Sequence, residues 1–193
     1  KLMSFPPKKI IAVAGAGFGG VTAVLVLAKK LGRLRRTHEI VLIDKQYFHL
    51  YTPALYEIAA TPREISPDPF LKSAVTIPIL EIVNGKPITF LCDEITGIAR
   101  DEREIVLKRK GKLPYEYLIL ALGSETNYFS IPGLREASFP LKTFENCVKL
   151  RDKVEQLVKE KDSVKVVFGG AGASGVELAA EFTNFVCGLK EHI

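Results

Sequence analysis

The sequence predicts an α/β chain: a parallel sheet with helices and a small β-meander, followed by the first strand–helix unit of a second domain. Three observations carry that prediction. Short, nearly unbroken apolar runs at Ile10–Ala14, Glu39–Asp44 and Tyr117–Leu122 have the form of parallel strands buried on both faces. Two glycine clusters, Gly15–Gly20 and Gly170–Gly175, each stand between a short apolar run and a helical stretch. The 193 residues, at ~100–200 per domain, allow one full domain and the start of another.

Composition removes other classes. With 47% hydrophobic and 25% charged residues and a mean hydropathy of +0.15, the chain is neither disordered nor collagen-like, and it is no disulfide-stapled miniprotein. A net charge of +5 suits nucleic acid, an anionic membrane surface or an anionic cofactor, and the count alone does not choose. Cys92, Cys147 and Cys187 are odd in number and hold no C-x-x-C, so they read as buried or idle thiols in a reducing compartment. His38, His49 and His192 are scattered without ligand spacing, and no metal site is expected.

Ile10–Ala28 is nineteen residues without a charge, following Lys8-Lys9, and on hydropathy alone is a candidate membrane span or signal peptide. The four glycines at its centre divide it instead into a strand, a turn and a helix over Val21–Leu31, which needs no bilayer. Met3 is the only methionine, so Lys1-Leu2 read as an expression remnant and Met3 as the natural start. Gly32–Thr37 is a basic surface connection, read as a solvated turn, before the strand that ends at Asp44. From Tyr47 to Pro87, frequent prolines leave room for short helices such as Ala54–Ala60 but for no long element. Ile88–Leu91, Glu94–Arg100 and Glu104–Arg109 read as short strands, and Lys110-Gly111-Lys112 as a turn before the fully buried strand Tyr117–Leu122. Phe144–Lys161 is predicted helical, capped by Thr143, with Phe144, Val148, Val154, Leu157 and Val158 forming one face for the sheet. Val164–Phe168 reads as another strand and Val176–Val186 as the helix that follows it.

The first glycine cluster, Gly15-Ala16-Gly17-Phe18-Gly19-Gly20, has the form G-x-G-x-x-G between strand and helix. Gly15 permits the tight turn, Gly17 lets backbone approach a pyrophosphate, and Gly20 lets helix and strand pack closely. Amides at the helix start then face the phosphates with the dipole behind them. Asp44 stands at a strand end, where a carboxylate accepts hydrogen bonds from a ribose. The second cluster, Gly170-Ala171-Gly172-Ala173-Ser174-Gly175, repeats the device 155 positions later. Two such fingerprints imply two dinucleotides, one flavin and one nicotinamide, held for hydride transfer.

With the strand Tyr117–Leu122 and Gly123-Ser124 between them, the two fingerprints resemble the two-dinucleotide-binding-domain flavoprotein superfamily. Within it, His49–Ala59 (HLYTPALYEIA), Gly123–Phe129 (GSETNYF) and Pro140–Thr143 (PLKT) resemble type II NADH dehydrogenases, the single-subunit NADH:quinone oxidoreductases. The likeness runs from about Lys9 to Phe185. It implies a Rossmann-like FAD-binding domain over residues 1–160, lacking its returning segment, and the start of a Rossmann-like NAD(P)H-binding domain over 161–193. Gly15, Gly17, Phe18, Gly19 and Gly20 would hold the FAD pyrophosphate, Asp44 and Lys45 the adenosine ribose, and Ile95 the adenine edge. Thr52 and Pro53 would lie against the isoalloxazine, with Ala121, Leu122 and Gly123 as the second flavin-contacting strand end. Gly170, Gly172 and Gly175 would receive NADH, or NADPH, and Glu177 matches the family's glutamate beside the flavin. As a plain helix-start carboxylate, Glu177 would instead be stabilised by the dipole.

No cysteine matches the reactive positions of disulfide reductases or sulfide:quinone oxidoreductases, so electrons would pass from flavin directly to an external acceptor, a quinone. The resemblance further implies an N-terminal portion of a respiratory-chain enzyme at the cytoplasmic, inner face of the cell membrane. The contact with that membrane would be peripheral, through a C-terminal region absent here. A partial chain of this kind would self-associate or be completed by a second polypeptide, and it would bind FAD only weakly. The alternatives are a flavin-binding module or subunit without turnover, or another FAD/NAD-linked reductase of the superfamily. Nucleic-acid binding fares poorly, because the basic residues carry no aromatic stacking motif.

Overall fold

The structure, a computed structural model, describes residues 7–191. Lys1, Leu2, Met3 and His192 lie outside the described residues. In chain order the elements are β1 (Lys9–Ala14), α1 (Phe18–Lys30), β2 (His38–Asp44), β3 (Phe48–Leu50), α2 (Leu55–Ala60), α3 (Asp68–Val75) and β4 (Thr76–Pro78). There follow α4 (Ile79–Val83), β5 (Ile88–Cys92), β6 (Ile95–Ala99), β7 (Glu104–Leu107), β8 (Gly111–Pro114), β9 (Tyr117–Leu120), α5 (Leu134–Ala137), α6 (Phe144–Glu160) and α7 (Ala173–Glu191). They divide into two compact units, one formed by the chain up to His49 with Ile77–Ser124, the other by Leu50–Thr76 with the chain from Glu125 onward.

The first unit is built on a parallel sheet of order β5-β2-β1-β9. The apolar runs explain it: Ile11–Ala14 and Ile40–Ile43 are buried at every position, so both faces of β1 and β2 are covered. On one face Ile11, Val13, Ile40 and Leu42 pack with Val24 and Ala28 of α1 and with Ile79 and Val83 of α4. On the other, Ala12, Val41 and Ile43 pack with Ile105 and Leu107 of the antiparallel meander β6-β7-β8. Each fully buried Val, Leu or Ile among these contributes about 1.5–3 kcal/mol. Ile10–Ala28 is thus a strand, a glycine turn and a helix, and no described helix is long and apolar enough to cross a membrane.

A buried carboxylate joins meander to sheet. Asp93, just past β5, is 1% exposed and accepts the amides of Glu94, Arg109 and Lys110 and the Arg109 Nε–H. Burial alone would raise its pKa, but these hydrogen bonds prevail and hold it below the usual carboxylate range. The same bonds correct one turn. Asp93 fastens Lys108-Arg109-Lys110 as the turn, and Gly111 with Lys112, expected within the turn, opens strand β8 opposite Leu107 and Val106.

Tyr117–Leu122 also departs from expectation. The strand ends at Leu120 and is not fully buried: Tyr117, Leu120 and Leu122 are exposed, because among the described residues β9 is the sheet's edge and has a ladder partner on one side only.

The second unit is helical. Its core joins Leu55, Ile58 and Ala59 of α2, Leu71 and Val75 of α3, Phe144, Cys147, Val154 and Val158 of α6, and Phe182 and Phe185 of α7. Helix α6 opens as predicted, with the Asn146 amide donating to Thr143 Oγ1 at 3.1 Å. Its apolar face, expected to lie on a sheet, packs into this helical core instead. Arg151 is buried in that face and donates to Asp68 Oδ1 at 2.7 Å and to Asp152. Val164–Phe168 is no strand, because no ladder partner lies beside it among the described residues. Val164 and Phe168 pack on the helices, with the Phe168 ring edge-on to Phe182, while Val167 stands 83% exposed.

Candidate dinucleotide-binding turns

The first turn is built where β1 ends. The Gly15 amide continues the ladder to the Ile43 carbonyl at 2.8 Å, and the Ala121 amide donates to the Ala14 carbonyl at 2.8 Å. The chain then reverses at Gly15, whose φ of +100° lies in the region that favours glycine. A side chain there would overlap the Ala121 carbonyl, and a side chain at Gly20 would overlap the carbonyl oxygen of Gly15 itself. Gly17 is different: nothing lies within 4 Å of the place a Cβ would occupy. Gly15 is thus closed off by the backbone that follows β9 and Gly20 by the turn's own Gly15 carbonyl, while Gly17 faces open space. Helix α1 begins one residue after Gly17, with the Val21 amide on the Gly17 carbonyl at 2.9 Å and no acidic residue in its first turn. That end therefore keeps its positive potential for an anion.

Two side chains brace the turn. Asp44 accepts the Ala16 amide on Oδ2 at 2.7 Å and the Gln46 amide on Oδ1 at 2.8 Å. A carboxylate offers about four acceptor positions, so room remains for a ribose hydroxyl. His49, 5% exposed, donates from Nδ1 to the Ala16 carbonyl at 2.9 Å and meets the Phe18 ring edge-on at 4.7 Å. The histidines' spacing did not point to this role; only the fold brings residue 49 to residue 16.

The remaining first-unit positions surround the end of β2. Cys92 stands opposite Asp44 in the ladder, its thiol donates to the Lys45 carbonyl at 3.6 Å, and Ile95 follows as the half-buried first residue of β6. Ala121 lies against the turn, Leu122 is exposed, and Gly123 is a second positive-φ glycine facing open space. Thr52 and Pro53 belong to the other unit, where they form an exposed 3₁₀ turn leading into α2.

The second turn shares part of the first's geometry, although the run before it, Val164–Phe168, is no strand and nothing lies within 4 Å of the place a Cβ would occupy at Gly170. Gly170 has a φ of +125°, a side chain at Gly175 would overlap the Gly170 carbonyl, and Gly172 faces open space. Helix α7 begins one residue after Gly172, with the Val176 amide on the Gly172 carbonyl at 3.1 Å and again no acidic residue in its first turn. Because α7 starts at Ala173 rather than Val176, Glu177 is its fifth residue and stands exposed in the second turn, not the first. The Tyr56 phenol of α2 is pushed above its usual pKa by its hydrogen bond to Glu57, then by burial, and by the negative charges of Glu57, Glu177 and Glu181.

The three cysteines are free thiols. Cys147 is buried, and burial, aided by the charge of Glu145, pushes its pKa up to about 12; Cys92 is half-buried and Cys187 exposed.

Demethylphylloquinone reductase NdbB of Synechocystis is 30% identical over 179 residues, covering 89% of this chain and 42% of that protein. The type II NADH:quinone oxidoreductase of Staphylococcus haemolyticus is 28% identical over 92% of this chain and 44% of its own length. The fold matches that of NDH2 from Plasmodium falciparum, solved with NADH, with a TM-score of 0.72 and 24% identity over 93% of this chain and 37% of that one. The chain thus spans less than half the length of these relatives. Residues 9–191, which include both glycine turns, match the pyridine nucleotide-disulphide oxidoreductase family, and the chain belongs to it.

Proposed function

We propose that the chain forms the FAD-binding domain, residues 1–160, and the start of the NAD(P)H-binding domain, residues 161–193, of a type II NADH:quinone oxidoreductase. The observation that carries the reading is the repeated turn. Gly20 closes on the Gly15 carbonyl and Gly175 on the Gly170 carbonyl, whereas Gly17 and Gly172 leave backbone open at the head of a helix without first-turn acid. That is the shape a pyrophosphate requires twice over. Similarity to quinone reductases supports the acceptor.

On this reading Gly15, Gly17, Phe18, Gly19 and Gly20 hold the FAD diphosphate, Asp44 and Lys45 take the ribose, and Ile95 borders the adenine. Thr52, Pro53, Ala121, Leu122 and Gly123 border the ring system, and Gly170, Gly172 and Gly175 receive NADH or NADPH. FAD, when bound, supplies a hydride acceptor that passes electrons on to the quinone. The protein's share is binding and orientation, with Glu177 positioned beside the reacting rings. The complete enzyme works at the inner face of the cell membrane. The isolated chain associates with itself or with the rest of the enzyme through its open sheet edge at β9.

The test is an absorbance spectrum of the purified full-length protein, followed by anaerobic addition of NADH and then a quinone analogue. A flavin spectrum that bleaches with NADH and returns with the quinone is expected. A colourless protein that takes up no FAD would overturn the reading.

A further inference from the structure

Eight of the 27 Lys and Arg residues, and none of the 22 Asp and Glu, lie in the first 38 positions. The rest of the chain carries an excess of acid, so the net charge of +5 originates at one end. Five of the eight, Lys29, Lys30, Arg33, Arg35 and Arg36, occupy the last turn of α1 and the 3₁₀ turn Gly32–Arg36 that follows, which is exposed throughout.

Some of this charge has a structural duty. Lys29 and Lys30 suit the negative end of α1, and Arg35 Nη2 donates to the Ala28 carbonyl at 3.1 Å. Arg33 and Arg36 have no such duty, and no carboxylate among the described residues pairs with Lys29, Lys30, Arg33 or Arg36. Apolar side chains stand out between the cations: Leu34 is 54% exposed and Val26, one turn before Lys29 and Lys30, is 45% exposed. Next to the turn lies an open groove of about 380 Å³ edged by Lys8, Arg35 and Lys86; its carboxylate, Glu39, is engaged by the Thr89 hydroxyl.

We propose that this surface docks on an anionic lipid membrane. Lys29, Lys30, Arg33 and Arg36 meet headgroup phosphates, Leu34 enters the acyl boundary, and the Lys8–Arg35–Lys86 groove takes one headgroup phosphate. Exposed aliphatic tips among long cationic side chains suit that interface, where the stems bury and the charged ends stay with the phosphates. Nucleic acid fits less well. No Phe, Tyr or Trp occurs between Gly19 and Gln46 to stack on a base, and an exposed leucine has no partner on a phosphate backbone. The contact lies within the first unit and adds to the membrane association of the proposed enzyme without depending on the redox reading.

Each basic residue at an anionic surface strengthens binding roughly fivefold. The full-length protein is sedimented with vesicles of phosphatidylcholine alone or mixed with phosphatidylglycerol. The triple variant Lys29→Gln/Arg33→Gln/Arg36→Gln is expected to bind the mixed vesicles about a hundredfold more weakly. Its melting temperature, FAD content and NADH oxidation in detergent solution should stay unchanged. Leu34→Ser should weaken the same binding severalfold without altering its salt dependence, which the charges set. Wild-type affinity of the triple variant for mixed vesicles overturns the proposal, as does an equal loss on neutral vesicles. So does an oligouridine probe held more tightly than the vesicles and released by the same substitutions. Because NADH oxidation is read separately, failure of the docking surface and failure of the redox reading are distinguishable.

Discussion

The amide of Ala16 donates to Asp44 Oδ2 at 2.7 Å, so the carboxylate at the end of β2 helps build the glycine turn at the end of β1. The other oxygen is committed to the Gln46 amide at 2.8 Å. Asp44→Asn would turn an NH₂ group toward one of these two donors. A hydrogen bond to a charged acceptor contributes about 1.5–3 kcal/mol, and a loss of that order is expected in urea unfolding of the FAD-free protein. FAD affinity should fall further still. Full stability together with weakened FAD would show that the carboxylate serves the nucleotide alone.

The glycines of each fingerprint should separate by substitution. Gly20→Ala sets a methyl group into the Gly15 carbonyl, so α1 must move off β1; overpacking of this kind costs about 1–3 kcal/mol and should lower the melting temperature even without cofactor. At Gly17 a Cβ would meet nothing within 4 Å, so Gly17→Val has room at the base of its side chain. It should leave the FAD-free melting temperature within a few degrees and abolish FAD retention, because the isopropyl group fills the space a diphosphate needs. Stoichiometric FAD in purified Gly17→Val would defeat the assignment of the turn. Gly172→Val in the complete enzyme should raise KM for NADH while FAD content stays at one per chain.

What the sequence made legible was local. An apolar run, three spaced glycines and a second apolar run are contiguous, and the closure of Gly20 on the Gly15 carbonyl lies within six residues. Long-range partners were hidden. Val164–Phe168 has strand composition, but a strand exists only with a neighbour, and its two anchored side chains found helices instead. Tyr117–Leu122 has the apolar run of a central strand yet lies at an edge, a property of sheet order that its own composition does not encode. His49 reaches Ala16 across 33 positions, and Asp93 reaches Lys110 across 17, and neither leaves a local pattern.

Asp93 gives the fold an acid limb. Its pKa is depressed in the folded state relative to an unfolded value of about 3.9, so the unfolded chain binds the proton first as pH falls. The stabilisation it provides is complete above that unfolded value and is lost as pH falls through the folded one. Urea midpoints of the wild type should therefore fall steeply below about pH 4. Asp93→Asn should start lower at neutral pH, since it cannot accept the same four hydrogen bonds, and its acid limb should be shallower. Parallel curves for the two proteins would place the acid sensitivity elsewhere.

The role proposed for Glu177 is tested by its substitution. A carboxylate exposed in the second turn of α7 has no packing to lose, so Glu177→Gln should leave the melting temperature unchanged. Its charge, together with those of Glu57 and Glu181, helps keep the Tyr56 phenol protonated, so the substitution removes one negative charge from a local set rather than a structural link. If Glu177 stands beside the reacting rings, kcat in the complete enzyme should fall by about 10–100-fold with FAD content intact, and the loss should appear in the half-reaction with quinone or in that with NADH. Glu181→Gln removes the same charge one helical turn further on and serves as the control, with kcat expected to stay within about twofold of wild type. Equal rates for Glu177→Gln and wild type would reduce Glu177 to a solvated helix-face carboxylate, and an equal loss in both variants would make the effect one of general charge rather than of position.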